Sequence, residues 1–330
     1  MNQPGRLGVG IIGMGHVGPV IGSALRAAGH SIVGVTASSE ASRERADAML
    51  PGVPILDVQT LVERSELVII AIPDDEIGPL VEGLAALKAW QPGQLVIHLS
   101  GAHGVGLLAP AQACGAITLA IHPAMTFTGT SVDVARLVGT PFAVTAAGPV
   151  LPIAQALVVE MGGEPVVVSE QARTLYHAAL AHGANFLVTL LAQAQDLLRA
   201  AGVDNPGDYL RPLCEAALDR VLRDGSAGLT GPIMRGDAGT IRSHMKALIG
   251  EPCGTGTGTG TGLGAGSGQG DGKASDTAGV ETLDFTTAQV ARTYAHMTRQ
   301  TVDMLVRKGS LSERAAAEIL RALDDTEADH

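Results

Sequence analysis

Leu7-Gly8-Val9-Gly10-Ile11-Ile12 runs straight into Gly13-Met14-Gly15-His16-Val17-Gly18, and this stretch decides the fold of the first half of the chain. An apolar strand, a glycine-spaced turn and a helix expected over residues 19–29 form the unit with which a parallel sheet holds a dinucleotide pyrophosphate. The spacing has a chemical reason. Gly13 permits the tight turn, Gly15 removes a side chain where backbone must approach phosphate, and Gly18 lets the helix pack closely on the strand. Free amides at the helix start then face the anion. With 43 glycines in the chain the spacing alone means little; the strand before it and the helix after it give it weight.

Working outward, a second strand is expected over residues 31–36. An NAD site wants a carboxylate at its tip for the ribose hydroxyls. Here Thr36-Ala37-Ser38-Ser39 stands, with Arg43 and Arg45 close behind. Hydroxyls and guanidinium groups receive a 2′-phosphate, so NADP (NADPH) is the expected cofactor. The alternative places both arginines on the solvated face of the next helix, with Glu40 on an NAD ribose.

Strand-like runs recur at residues 67–72, 95–99, 117–121, 141–145 and 165–168, with helical stretches between them. That alternation predicts an α/β fold, a doubly wound Rossmann sheet over residues 1–168. Beyond Ser169 the pattern turns helical, near residues 170–201, 208–223, 237–249, 281–306 and 311–323, so residues 169–330 are expected to be an all-helical substrate and dimerisation domain. A Gly- and Thr-rich tract at about 252–278 carries too little apolar surface to offset the entropy of ordering it, and reads as a flexible loop.

Composition bounds the function. A net charge of −11 with four lysines argues against a nucleic-acid surface, and 2% aromatic residues argue against base-stacking platforms. Cys114, Cys214 and Cys253 are scattered and odd in number, which suits neither a disulfide framework nor a clustered metal site. No contiguous apolar run reaches membrane-spanning length and the amino terminus lacks a secretory pattern, so a soluble cytoplasmic protein is expected.

Three strand ends carry polar or turn residues where an open α/β sheet places its ligands: Ile72-Pro73-Asp74, His98-Leu99-Ser100-Gly101, and Ile121-His122-Pro123 continuing to Ala124-Met125-Thr126-Phe127. Ile72, Pro73, Asp74 and Ser100 are expected to line the cofactor cleft. Ser100 with the Gly101 amide makes a cradle for a carboxylate or carbonyl oxygen, beside His122 and Pro123. On the following helix His177, Ala181 and Asn185 step by four and share a face, His177 lying roughly 12 Å along the axis from Asn185. Reduction of a ketone needs a proton for the developing alkoxide, and imidazole supplies one near neutral pH. His177 is the first candidate and His122 the second. Asn185 would hold the oxygen and Arg235 a substrate carboxylate. A histidine and an asparagine in an Ala-Leu helix can equally be buried polar groups satisfied by backbone, and Arg235 can brace the turn at Asp237, the expected cap of the next helix.

Together with Tyr176-His177, Asn185 and Leu229-Thr230-Gly231-Pro232-Ile233-Met234-Arg235-Gly236-Asp237, these strings resemble the Rossmann-like proteins whose helical half is domain of unknown function 2520, within the 6-phosphogluconate dehydrogenase-type superfamily. The resemblance spans nearly the whole chain apart from the Gly-Thr insertion and the extreme ends. It implies a cofactor domain, a helical domain that forms a homodimer, and an NADP-dependent reductase of a small 2-oxo acid, with ketopantoate reductase of pantothenate synthesis as the leading substrate guess. Many superfamily members carry a lysine four residues before the asparagine; here that position is Ala181. Prephenate or arogenate dehydrogenases place His-Pro-Met after a strand, where this chain has His122-Pro123-Ala124-Met125, and their serine-to-lysine turn is replaced by Ser100-Gly101-Ala102-His103. Imine or pyrroline-carboxylate reductases carry a Gly-Ser-Gly-Pro turn that Gly183-Ala184-Asn185-Phe186 does not match. The missing lysine also leaves open a non-catalytic NADP-binding sensor or scaffold.

Overall fold

The structure, a computed structural model, describes residues 6–250 and 284–328. The chain forms two compact units, residues 1–185 and 186–330. The sheet and its covering helices end at 168, and the first unit continues through the first half of the helix that follows. The Gly- and Thr-rich tract lies outside the described residues.

In the first unit the strands β1 (Gly8–Ile12), β2 (Ser31–Thr36), β3 (Leu67–Ile70), β4 (Leu95–His98), β5 (Ile117–Pro123), β6 (Pro141–Ala146) and β7 (Glu164–Val167) form one sheet in the order β2-β1-β3-β4-β5-β6-β7. From β2 to β5 the neighbours are parallel; β6 runs antiparallel to β5, and β7 parallel to β6. Successive side chains of a strand point to opposite faces, and the two cores follow that rule. Val9, Ile11, Leu67, Ile69, Leu95 and Ile97 enter one core with residues of the helices α1 (Gly18–Ala27), α2 (Glu40–Met49) and α7 (Leu151–Glu160). Ile12, Val68, Ile70 and Val96 enter the other, against α3 (Val58–Arg64), α4 (Asp74–Ala86) and α5 (Ala109–Ala113). Because both faces are covered, β3 and β4 read as unbroken apolar runs, as buried parallel strands do. The short α6 (Ser131–Arg136) follows the loop after β5.

The helix α8 (Arg173–Ala200) spans the division between the units. The stretch Glu170–Ala200 is long and apolar enough to cross a membrane, with a hydropathy of 1.3. This corrects the expectation that no segment reaches that length: single polar residues such as His177, His182 and Asn185 break every contiguous run while leaving the average high. In the second unit α9 (Pro206–Asp224) is followed by α10 (Ala238–Ile249), α11 (Thr287–Arg307) and α12 (Glu313–Ala328). Ile241, Met245, Val302, Leu305, Ile319 and Leu323 form its core. α11 starts at Thr287, later than the expected 281, because its cap sits at Thr286. Asp237 caps α10 by accepting from the Thr240 amide, and Thr286 with Gln289 makes a capping box for α11.

Candidate dinucleotide cleft and histidine cluster

The glycine turn is built as its spacing requires. Gly13 has φ +99°, a conformation side chains disfavour, and its amide donates to Thr36 Oγ1 at 3.0 Å, tying the turn to the tip of β2. A Cβ on Gly18 would stand 2.1 Å from the Gly13 carbonyl oxygen, so the start of α1 lies hard against the turn. At Gly15 the opposite holds: nothing lies within 4 Å of where its Cβ would be. Side chains cap α2 and α3, from Ser39 and Asp57, whereas α1 has no side-chain cap. Pro19 has no N–H and the Val20 and Ile21 amides donate to the Val17 carbonyl, so an anion at this end would meet the amides of the turn up to Gly18.

Gly13, Met14 and Gly15 open on a cavity of about 470 Å³, whose other walls include Thr36, Ser38, Ser39, Arg45, Ile72 and Pro73. Met14 contributes backbone, since its side chain is buried in the core, and Val17 also packs against that core. Arg45 donates to the Met14 carbonyl at 3.1 Å, while Arg43 donates to the Ser38 carbonyl at 3.2 Å and does not line the cavity. The Ser39 hydroxyl is engaged as the α2 cap, accepting from the Ser42 amide. Asp57 and Glu76, not singled out from the sequence, also line the cavity. Hydrogen bonds to Thr60 hold the Asp57 carboxyl below its usual range. His16 Nδ1 lies 2.9 Å from the Thr128 carbonyl oxygen, bringing the loop after β5 alongside the turn.

Along the carboxyl edge of the sheet the polar residues divide into braces and free groups. Ser100 donates its hydroxyl to Asp74 at 2.7 Å and accepts from the His103 amide, which joins the ends of β3 and β4. His98 is wholly buried: its Nδ1 accepts from the Ser100 amide and its Nε2 donates to the Gly104 carbonyl. Burial pushes this imidazole down to about 4, so it is neutral at ordinary pH. His122 is different. Its ring meets Tyr176 and His177 edge to face, with centroids 5.7 and 5.9 Å away, and its Nδ1 lies 3.0 Å from the Tyr176 hydroxyl. Gly101 completes the group, for a Cβ there would stand 2.6 Å from His177 Cδ2 and 2.9 Å from His122 Nε2. Burial, reinforced by His177 and Arg173, lowers His122 to about 4. Pro123 is the last residue of β5, paired with Phe142.

Arg173 was not singled out from the sequence. Its side chain is buried, 1% exposed, and donates to Thr145 Oγ1, Ser100 O, Ala120 O and Ala143 O at 2.7–3.2 Å. Asn185 is exposed on α8, two turns beyond His177. Arg235 is exposed in the second unit beside Asp237, whose carboxyl it helps hold below the usual range after the bonds from Thr240.

Sheet order, glycine turn and open cleft define the first unit as a Rossmann-type nucleotide-binding fold. Family comparison agrees, with a Rossmann-like domain matching residues 1–123 and Domain of unknown function (DUF2520) matching residues 140–255. Each model matches about a third of the chain, and the two follow one another in the order the sequence suggests. Among solved structures it is similar to a candidate NADP oxidoreductase from Bacteroides fragilis, with 18% identity over 90% of this chain and 98% of the other and a TM-score of 0.67. It is also similar to a reductive aminase from Aspergillus terreus solved with NADPH and ethyl levulinate, at 14% identity, 96% and 99% coverage and TM-score 0.57. An imine reductase from Myxococcus stipitatus in complex with NADP+ aligns at 17% identity, 73% and 84% coverage and TM-score 0.52. At such identities the likeness is one of fold. No curated protein matches the sequence.

Proposed function

We propose that the chain is an NADP-dependent oxidoreductase that reduces a small 2-oxo acid, with ketopantoate the first substrate to try. The observation that carries this reading is the open space at Gly15, heading a cavity walled by Ser38, Ser39 and Arg45 and beside an uncapped helix start. A phosphorylated dinucleotide fits those residues. The backbone amides of the turn from Gly15 to Gly18 would take the pyrophosphate, Ser38 and Arg45 the 2′-phosphate, and Ile72 and Pro73 the apolar side of the cleft. Of the two arginines expected there, Arg45 takes this part and Arg43 does not, because residues two apart on a helix point to different sides.

When bound, a reduced nicotinamide supplies hydride. The protein must then orient the carbonyl and provide a proton. Gly101 lets His122 and His177 pack close to the end of β4, where a Cβ would clash with both, and Asn185 is the proposed partner for the oxygen. Reduction of an imine is the second reading, favoured by Ala181 standing where the superfamily places a lysine, since a substrate that arrives as an iminium needs no strong acid. Exposed apolar residues recur on both α8 and α9, among them Val188, Leu213 and Leu222, and we take this surface to be buried against a second copy in a homodimer.

The test is titration with NADPH and NADH, followed by loss of NADPH absorbance with ketopantoate, related oxo acids and cyclic imines. Binding of NADPH with turnover of an oxo acid supports the proposal. Turnover of imines alone moves it to the second reading, and binding without any turnover moves it to a sensor.

A further inference from the structure

A buried guanidinium lies at the carboxyl edge of the sheet; none of its hydrogen bonds goes to a carboxylate, and Glu170 acts on it only through its charge. Arg173 donates to one hydroxyl and three backbone carbonyls, all neutral. Burying a charge without a counter-charge is costly, and neutral donors could brace the same acceptors. The positive charge itself therefore calls for a use. One helical turn further along α8 is Tyr176, with its hydroxyl 3.0 Å from His122 Nδ1. The other nitrogen of that ring has no hydrogen-bond partner among the described residues and packs against Gly101, where a Cβ would stand 2.9 Å from it.

Resting on the reductase reading, we infer that Tyr176 and His122 form a proton relay: the Tyr176 hydroxyl donates to Nδ1, His122 Nε2 gives its proton to the substrate oxygen, and Arg173 stabilises the phenolate that results. His122 is the catalytic residue of the pair and Tyr176 a positioning residue that acts through it. The balance closes. The carbonyl carbon receives hydride from the reduced nicotinamide and its π bond to oxygen breaks. The oxygen forms its O–H bond as the Nε2–H bond breaks, and Nδ1 takes the phenolic proton, so the ring stays neutral in its other tautomer. Water then returns a proton to Tyr176.

The surroundings favour this over an imidazolium donor. The groups facing His122 are Arg173, Tyr176 and His177 from α8, His98 from β4 and Asp74 from α4; burial, His177, Arg173 and His98 oppose its protonation, and Asp74 alone favours it. Burial raises the Tyr176 hydroxyl while Arg173 pulls it back down. The field of Arg173 also turns the phenolic hydrogen away from the guanidinium, toward the ring nitrogen.

The experiment is nitrogen NMR of histidine-labelled protein without ligand, combined with the pH dependence of turnover. The expected spectrum has His122 with its proton on Nε2 and no titration above about pH 5, and Tyr176→Phe removes the hydrogen-bond shift at Nδ1. Turnover should stay flat from about pH 6 to 9, where an imidazolium donor of ordinary pKa would lose roughly tenfold per unit above about 6.5. Tyr176→Phe should lower kcat by roughly a hundredfold and change NADPH affinity less than about twofold. A His122 that titrates near neutrality, or that carries its proton on Nδ1, overturns the relay whatever substrates are reduced. Failure of the reductase reading looks different: the NMR signature is present, NADPH does not bind, and the relay falls with the reaction it serves.

Discussion

Replacing Gly15 and Gly18 separately by alanine should reverse the usual link between stability and binding. At Gly18 the added methyl meets the Gly13 carbonyl oxygen at 2.1 Å, about 1 Å inside normal contact, and that oxygen belongs to a turn fixed by φ +99° and the bond to Thr36. Overpacking of this kind costs about 1–3 kcal/mol, of which alanine's helix preference returns at most about 1. Gly15 is not among the glycines at positive φ, and its Cβ enters open space. Folding of Gly15→Ala should therefore be unchanged or gain about 0.4–1 kcal/mol from a stiffer unfolded chain. The same methyl occupies the place proposed for phosphate. Losing one charge-assisted hydrogen bond there costs about 1.5–3 kcal/mol, a rise in Kd of roughly ten- to a hundredfold. Urea unfolding and NADPH fluorescence titration read the two quantities. A Gly15→Ala protein that binds NADPH as tightly as the parent would refute the placement of the pyrophosphate at this turn.

Removal of the Arg45 side chain should cut the preference for NADPH over NADH by roughly tenfold, and Arg43→Ala should change it little, as paired titrations with both cofactors would reveal. Because His98 is lowered to about 4 in the fold from an ordinary 6.5, the unfolded chain binds its proton first on acidification; stability is fully present above about 6.5 and declines as pH falls toward 4. Between about pH 7.5 and 5.5 the loss from His98 should be about 1.4 kcal/mol by denaturant unfolding, and a pH-independent value over that window would contradict a buried neutral ring. Val188→Asp, on the exposed apolar stretch of α8, should convert a dimer to monomer in light scattering without loss of helix signal.

Much of the sheet and its cleft was legible because the causes are local. Glycine spacing at 13, 15 and 18 is a matter of sterics within six residues, and apolar runs that stop at Pro73, Ser100 and Pro123 mark where the edge must be. The placement of side chains on that edge was less legible. His98 and His122 both end apolar strands, yet one is a sealed brace and the other faces Tyr176 and His177; with both sheet faces covered, alternation does not distinguish them. Ser100 read as a ligand cradle, but its hydroxyl answers to Asp74, 26 residues away. Arg43 and Arg45 were separable in principle, since fixing the start of α2 at Glu40 determines which of the two faces the turn. Arg173 was invisible because its acceptors lie 28 to 73 residues distant and three of the four are backbone carbonyls.

That last property bears on how the protein can change. A joint made to main-chain oxygens at positions 100, 120 and 143 asks nothing of the side chains there, so those positions can drift without loosening it. The whole burden of the joint falls on a single long side chain at position 173. Recombining this sheet with the helical half of a distant relative should succeed where the incoming helix carries an arginine in its opening turn, and leave a stranded set of carbonyls where it does not.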